Sequence, residues 1–155
     1  MDFTAFGDLV TTRRSVRRFT PEPIPRTDLE QIINAGRMAP SDTNAQPWHF
    51  VVITDRDRII DLEAKTQKRF ADLIADLKER GLPEIARKLK VFERYAAHFG
   101  TATVLIIICG EPYDSRFMQE VFCHLFTESE MEQIKQEESI KSTSLAGMNM
   151  LLAAH

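Results

Sequence analysis

The sequence has 155 residues, of which 43% are hydrophobic and 28% charged, and its formal net charge is −3. This length and composition predict one folded domain with its own core. The slightly acidic balance excludes the overall basic charge that non-specific nucleic-acid binding requires. No basic segment followed by an apolar run opens the chain, and no run approaches the roughly 18 apolar residues of a membrane helix, so a soluble, cytoplasmic chain is expected.

The first predicted element is a short amphipathic helix over residues 3–12, which leads into a cluster of arginines. Four guanidiniums within six positions repel one another unless an anion lies among them. Arginine presents planar, bidentate donors that match phosphate oxygens. The cluster therefore predicts a phosphate site formed by side chains, with a solvated basic patch as the alternative. Its sequence is Arg13-Arg14-Ser15-Val16-Arg17-Arg18-Phe19.

A stiff connector with three alternating prolines follows the cluster, and a helix comes next. Thr27 and Glu30 fit a capping box, which predicts a helix from about Asp28 to Met38. Pro40 ends that helix and opens a polar loop over residues 39–48, which leads into a strand over residues 50–54.

The middle of the chain is predicted to form structural helices and a strand rather than a binding site. Two helices are predicted to begin near Asp55 and at Pro83. An uninterrupted β-branched run over residues 103–110 predicts a central strand covered on both faces by helices. Residues 111–135 predict an irregular or short-helical excursion, either a lid over a pocket or a packing insertion. Cys109 and Cys123 are predicted to be reduced and buried.

The last segment, over residues 139–155, is apolar on almost every side of a predicted helix. Such a helix belongs in the middle of a protein. Only two strands are evident in the whole sequence, and a two-stranded sheet is marginally stable by itself. We therefore expect that the chain is a fragment, or that another subunit completes its fold.

The order of these features resembles the amino-terminal part of the nitroreductase family. Two motifs carry the resemblance: the arginine-serine cluster and the loop Ala39-Pro40-Ser41-Asp42-Thr43-Asn44-Ala45-Gln46-Pro47-Trp48, which leads into a strand. The later run over residues 144–155, which begins Ser144-Leu145-Ala146-Gly147, looks like the central helix of the family. The resemblance implies a single α+β domain over residues 1–155, with a mixed sheet between helices. The carboxyl-terminal strands of the family are expected to be missing. It further implies a homodimer with FMN at the subunit interface.

The resemblance also implies which residues hold the cofactor. Arg13, Arg14, Ser15 and Arg17 correspond to the motif that binds the FMN phosphate and ribityl chain. The loop corresponds to the segment that contacts the flavin ring from the neighbouring subunit. In this chain, the loop contacts would come from Pro40, Ser41, Asp42, Asn44 and Gln46. Trp48 is expected in the core, and Arg18 has no assigned role.

The implied activity is that of an FMN-dependent oxidoreductase. Hydride would pass from NADH or NADPH through the flavin to a nitroaromatic, a quinone or a similar small acceptor by a ping-pong mechanism. Because the flavin carries the chemistry, no catalytic side chain and no metal site are expected, and neither nucleic acid nor a membrane is an expected partner. Two alternatives stay open: a specialised relative, such as a reductive dehalogenase or flavin-fragmenting enzyme, and a non-enzymatic FMN-binding module.

Overall fold

The computed structural model describes residues 2–113 and 115–155, so Asp114 of the predicted excursion lies outside the described residues. The chain has an α+β fold that divides into two units, Met1–Arg14 with Pro25–Val51 and Ile106–His155, and Ser15–Ile24 with Val52–Leu105. The strands are β1 (Trp48–Ile53) and β2 (Leu105–Gly110). The helices are α1 (Phe3–Thr12), α2 (Arg26–Arg37), α3 (Arg56–Glu79), α4 (Pro83–Ala96), α5 (Arg116–Glu120) and α6 (Glu128–Ala153). Single 3-10 turns lie at Asp42–Asn44 and Phe122–His124.

Close packing of α2 against α6 organises the first unit. Gly36 is buried, and a Cβ at this position would lie 2.8 Å from Cγ of Met150 and 3.1 Å from Cζ of Phe50. The side-chain amide of Asn149 donates to the carbonyl of Ala35 at 3.1 Å. A residue without a side chain therefore lets the two helices approach each other closely.

Strands β1 and β2 form a two-stranded sheet. The N–H of Glu111 donates to the carbonyl of Pro47 at 2.8 Å, which joins the end of one strand to the start of the other and makes the pair antiparallel. Ile108 packs against a core cluster that contains Trp48 and Ala146, so the core position predicted for Trp48 is confirmed. Ile107 is exposed, and the prediction that β2 is covered on both faces is wrong.

The prediction that both cysteines are buried is also wrong, because Cys109 and Cys123 are exposed. Successive side chains of a strand point to opposite faces, so Cys109 lies on the face of β2 opposite to the packed Ile108. Cys123 lies in a 3-10 turn, and its thiol donates to the carbonyl of Gln119 at 2.7 Å. That turn belongs to the predicted excursion, whose irregular and short-helical character is confirmed as far as residue 127. The prediction is wrong for residues 128–135, which belong to the long helix α6.

The second unit contains the scaffold helices α3 and α4, which begin where the sequence predicts. The Asp55 carboxylate accepts hydrogen bonds from the N–H groups of Asp57 and Arg58, at 3.0 and 3.3 Å, and caps α3. Pro83 occupies the first turn of α4. Ile59 on α3 is fully buried. Local capping chemistry thus determines both starting points.

The predicted start of α2 is wrong. The helix begins at Arg26, because the carbonyl of Pro25 accepts hydrogen bonds from the N–H groups of Asp28 and Leu29, at 3.1 and 3.2 Å. Thr27 therefore lies inside the first turn and forms no cap. The Glu30 carboxylate pairs with Arg26 at 2.7 Å instead of bonding back to the amide of Thr27.

Helix α6 is longer than predicted and only partly buried. It begins at Glu128 rather than near residue 139. Ala146 and Met150 are buried, whereas Ile140 and Leu151 are 65% and 56% exposed, so the expectation of burial on every side is wrong for this chain. Within residues 2–113 and 115–155, none of the helices has the length and apolar character needed to cross a membrane.

Candidate functional site

The arginine cluster begins where α1 ends. Arg13 is the residue that caps the carboxyl end of the helix, and Arg14 donates from Nη1 to the carbonyls of Thr11 and Arg13, at 2.7 and 2.9 Å. Both acceptors are backbone carbonyls, one in the last turn of α1 and one in the cluster itself. These bonds turn the Arg14 side chain back over the last turn of α1.

The second half of the cluster belongs to the second unit, lies outside the helices and strands, and is exposed. Ser15 is exposed, and the guanidinium carbon of Arg17 lies 5.0 Å from the ring centroid of Tyr95. The cluster thus passes from one unit to the other between Arg14 and Ser15.

The four guanidiniums of the cluster have no carboxylate partner in the described part of the chain. Arginines on the helices contrast with them, since Arg26 pairs with Glu30 at 2.7 Å and Arg87 pairs with Glu84 at 3.0 Å. A concentration of positive charge without internal compensation favours an external anion. The observed environment of the cluster therefore fits a phosphate group.

The polar loop has an unusual backbone. Thr43, Asn44 and Gln46 have φ values of 48, 57 and 51°, in the left-handed region that favours glycine. Asparagine tolerates this region, but a β-branched threonine is strained there. Strain of this kind persists only where the surroundings hold it and is typical of ligand-binding segments.

Three side chains hold the loop in this conformation. The Ser41 hydroxyl accepts from the N–H of Gln46 at 2.9 Å, and the Ser142 hydroxyl accepts from the N–H of Asp42 at 3.3 Å. The Tyr113 hydroxyl donates to the Asp42 carboxylate, and it lies 3.1 Å from the Asp42 carbonyl oxygen. Through these hydrogen bonds to Asp42, Ser142 and Tyr113 anchor the loop to distant parts of the same unit.

The structure brings the five predicted loop residues together in one segment, with different exposures. Ser41 and Asp42 are half-buried, whereas Pro40, Asn44 and Gln46 are exposed. The Gln46 amide lies 3.4 Å from the Asn44 side-chain oxygen, so the two exposed amides lie side by side. They leave polar atoms accessible to a ligand. Within the described ranges, no group of three or more His, Cys, Asp or Glu side chains is arranged for a metal ion.

Sequence reasoning missed Tyr113 and Ser142, which are 71 and 100 positions away from their partner Asp42. No local spacing signals such a contact. Ser142 lies in the polar run Lys141-Ser142-Thr143-Ser144, so its neighbours in the sequence do not single it out either.

Removal of the Tyr113 hydroxyl should weaken the loop anchor and change the response to alkali. Burial, followed by the hydrogen bond to Asp42, raises the pKa of the Tyr113 phenol above its ordinary value of 10.0. The unfolded chain therefore loses this proton first, and the stabilisation present below about pH 10 is lost as the pH rises further. At neutral pH, Tyr113→Phe should lower the free energy of unfolding by about 0.5–1.5 kcal/mol.

Urea unfolding between neutral and alkaline pH measures both effects, with Tyr95→Phe as the matched control because it leaves the loop anchor intact. Relative to wild type, Tyr113→Phe should show a shallower decline of stability above about pH 10. If stability declines identically in wild type and Tyr113→Phe above about pH 10, Tyr113 does not anchor the loop.

Exposed guanidiniums and a preformed polar loop are features of proteins that bind a phosphorylated small molecule. The comparison with protein families is consistent with this class. The family model described as the nitroreductase family matches residues 10–155, and the chain belongs to that family.

Individual relatives show the same relationship. The chain is 26% identical over 124 residues to an Archaeoglobus fulgidus protein provisionally named NADH dehydrogenase/NAD(P)H nitroreductase, an alignment that covers 78% of this chain and 56% of the relative. A BluB-like flavoprotein from Clostridium difficile has a TM-score of 0.80 at 24% identity over 96% of this chain and 68% of its own. An iodotyrosine deiodinase bound to FMN and 3-iodo-L-tyrosine has a TM-score of 0.62 at 24% identity, over 95% of this chain and 67% of its own.

The two structures share the fold with this chain and confirm the predicted α+β class. The chain spans about half the length of the curated relatives it matches.

Proposed function

We propose that this chain is part of a cytoplasmic, homodimeric, FMN-dependent oxidoreductase of the nitroreductase type. Its electron donor would be NADH or NADPH, and its acceptor a nitroaromatic, a quinone or a similar small molecule. When bound, FMN would supply the chemistry by accepting a hydride from the nicotinamide and passing two electrons to the second substrate. The oxidised nicotinamide would leave before the acceptor enters the same pocket, which is a ping-pong order.

The observation that carries this proposal is the uncompensated arginine cluster in a chain that matches the nitroreductase family. Arg13, Arg14 and Arg17 would hold the phosphate through charge-assisted hydrogen bonds. Ser15 would donate its hydroxyl to the phosphate or the ribityl chain. Donors of this kind fit a phosphomonoester, because a planar guanidinium can bond two of its oxygens at once.

The loop would supply the contacts to the flavin ring. Pro40 offers an apolar surface, and Asn44 and Gln46 offer exposed polar atoms. The half-buried Ser41 would offer its hydroxyl, which accepts from the N–H of Gln46. Asp42, which bonds Tyr113 and Ser142, would keep the loop in its binding conformation. Hydrogen bonds from such a loop can tune the reactivity of the ring while one ring face stays open to substrates.

A second copy of the chain is the proposed partner, because large apolar side chains on α6 face solvent in the single chain. Ile140, Leu145, Met148 and Leu151 are exposed on this helix. Burial of such residues favours association by roughly 25 cal/mol per Å² of apolar surface. Analytical ultracentrifugation of the full-length protein measures the oligomeric state, and a strictly monomeric protein would contradict this part of the proposal.

The decisive experiment is purification of the full-length protein, followed by measurement of its flavin absorbance and of NADH and NADPH oxidation with a nitroaromatic or quinone acceptor. We expect a yellow protein, or a colourless one that gains activity when FMN is added. A protein that neither binds FMN nor oxidises either nicotinamide with added FMN would overturn the proposal.

Reductive dehalogenation is the second candidate, favoured by the structural likeness to an iodotyrosine deiodinase. Halogenated phenols and nitroaromatics, assayed side by side with the same reductant, separate the two activities. Preferential release of halide would favour the dehalogenase, whereas preferential nitro reduction would favour the nitroreductase.

A further inference from the structure

The contact between Arg17 and Tyr95 has the geometry of a cation over an aromatic face. The guanidinium carbon is 5.0 Å from the ring centroid, within the roughly 6 Å at which such pairs attract. The five N–H donors of arginine lie in the guanidinium plane. The ring attracts the cation through its π face, so it restricts the position of the group and leaves N–H donors for an anion.

Two neighbouring contacts hold the same segment of the chain. Phe19 stacks on His98 with centroids 6.1 Å apart and an angle of 7° between the ring planes. The Thr103 hydroxyl donates to the carbonyl of Glu22 at 3.2 Å. All these residues belong to the second unit. The segment from Arg17 to Glu22 is thus held by contacts before and after Arg18. The Tyr95 ring restricts Arg17 on one side, and His98 and Thr103 bind Phe19 and Glu22 on the other.

The position of Tyr95 in α4 adds to this effect. Tyr95 lies in the last turn of a helix that ends at Ala96. The carboxyl end of a helix carries partial negative charge and attracts a cation. Both the ring and the helix end therefore favour the observed place of the guanidinium, while its outward edge stays available for an anion.

We propose that Tyr95 is a positioning residue that holds Arg17 for the phosphate of a phosphorylated flavin. This inference rests on the proposed function. By orienting Arg17, Tyr95 favours FMN over riboflavin, which has the same ring system without the phosphate. A purely structural Tyr95 would instead affect both flavins equally, through the general stability of the unit.

The experiment measures dissociation constants of FMN and riboflavin, by quenching of flavin fluorescence, for the full-length wild type and three variants. Tyr95→Leu removes the ring, and Tyr95→Phe keeps it. Phe92→Leu is the matched control, because Phe92 is an exposed aromatic on the same helix that contacts Phe70 at a centroid distance of 6.1 Å. Thermal unfolding of each apoprotein verifies that the variants fold.

We expect Tyr95→Leu to weaken FMN binding about two- to fivefold, the range of an exposed cation–aromatic pair, with riboflavin binding unchanged. Tyr95→Phe should restore the affinity for FMN, and Phe92→Leu should alter neither ligand. The inference is overturned if Tyr95→Leu leaves FMN affinity unchanged, if it weakens both flavins alike, or if phenylalanine does not restore binding. Failure of the wild type to bind FMN would overturn the proposed function itself, and with it this inference.

Discussion

Replacement of Arg17 by alanine should weaken FMN binding by about 1.5–3 kcal/mol, the contribution of a hydrogen bond to a charged group. The variant loses a guanidinium that has no carboxylate partner in the described ranges, so the loss falls on the external ligand rather than on an internal ion pair. Arg13→Ala should have an effect of the same size. Ser15→Ala should cost less, because a neutral hydroxyl bonds phosphate more weakly than a guanidinium does.

Titration of apoprotein with FMN at several salt concentrations measures this effect. Screening should reduce the difference between wild type and Arg17→Ala as ionic strength rises. Arg26→Ala is the control, since it removes the same charge from an exposed helical position whose partner is Glu30. Equal affinities of Arg17→Ala and wild type for FMN would show that the phosphate lies elsewhere.

Ile59→Ala should lower the free energy of unfolding by about 2–5 kcal/mol, the range for truncation of a fully buried aliphatic side chain. Ile59 is 0% exposed, and it is one of the two largest fully buried side chains of the described chain. It lies on α3. Its loss leaves a cavity that the surrounding side chains fill only in part.

Urea unfolding of the two adjacent isoleucine variants provides the comparison. Ile60 is 48% exposed, so Ile60→Ala removes the same atoms from a position already in contact with water. Its effect should be well below that of Ile59→Ala. Similar losses at the two positions would mean that Ile59 does not lie in the core of this unit.

The helix starts show which parts of the fold can be predicted from local sequence. Asp55 and Pro83 determine the starts of α3 and α4 through atoms within a few residues, and both predictions are confirmed. Thr27 fits the same kind of pattern, yet the carbonyl of Pro25 accepts the first bonds of α2. A motif predicts a cap only when the backbone before it offers no earlier acceptor.

A second capping motif shows the opposite error. Thr127 and Glu130 form a complete capping box at the start of α6. The Thr127 N–H donates to the Glu130 carboxylate at 2.8 Å. The motif was visible in the sequence, but the mixed charges and aromatics around it masked the helical pattern. Because the hydrophobic periodicity after Thr127 is weak, the helix is predicted to begin near residue 139, although the capping box indicates the true start.

The candidate site shows the same contrast between local and distant contacts. The arginine cluster and the polar loop are each one continuous stretch of sequence, so the composition of each stretch predicts its chemistry. Tyr113 and Tyr95 act on them from distant parts of the chain. The pairing of Tyr113 with Asp42 and of Tyr95 with Arg17 depends on the path of the backbone between them. No composition or spacing rule specifies that path, and only the folded chain shows it.

The left-handed backbone at Thr43 bears on the kinetics of ligand capture. Holding a β-branched residue there costs on the order of 1–3 kcal/mol, and this cost is met when the chain folds. For the proposed ligand, such a loop would need no slow rearrangement, so its arrival would be limited by diffusion and by electrostatic steering. Thr43→Gly would relieve the strain, while the greater freedom of glycine in the unfolded chain would offset part of the gain in stability.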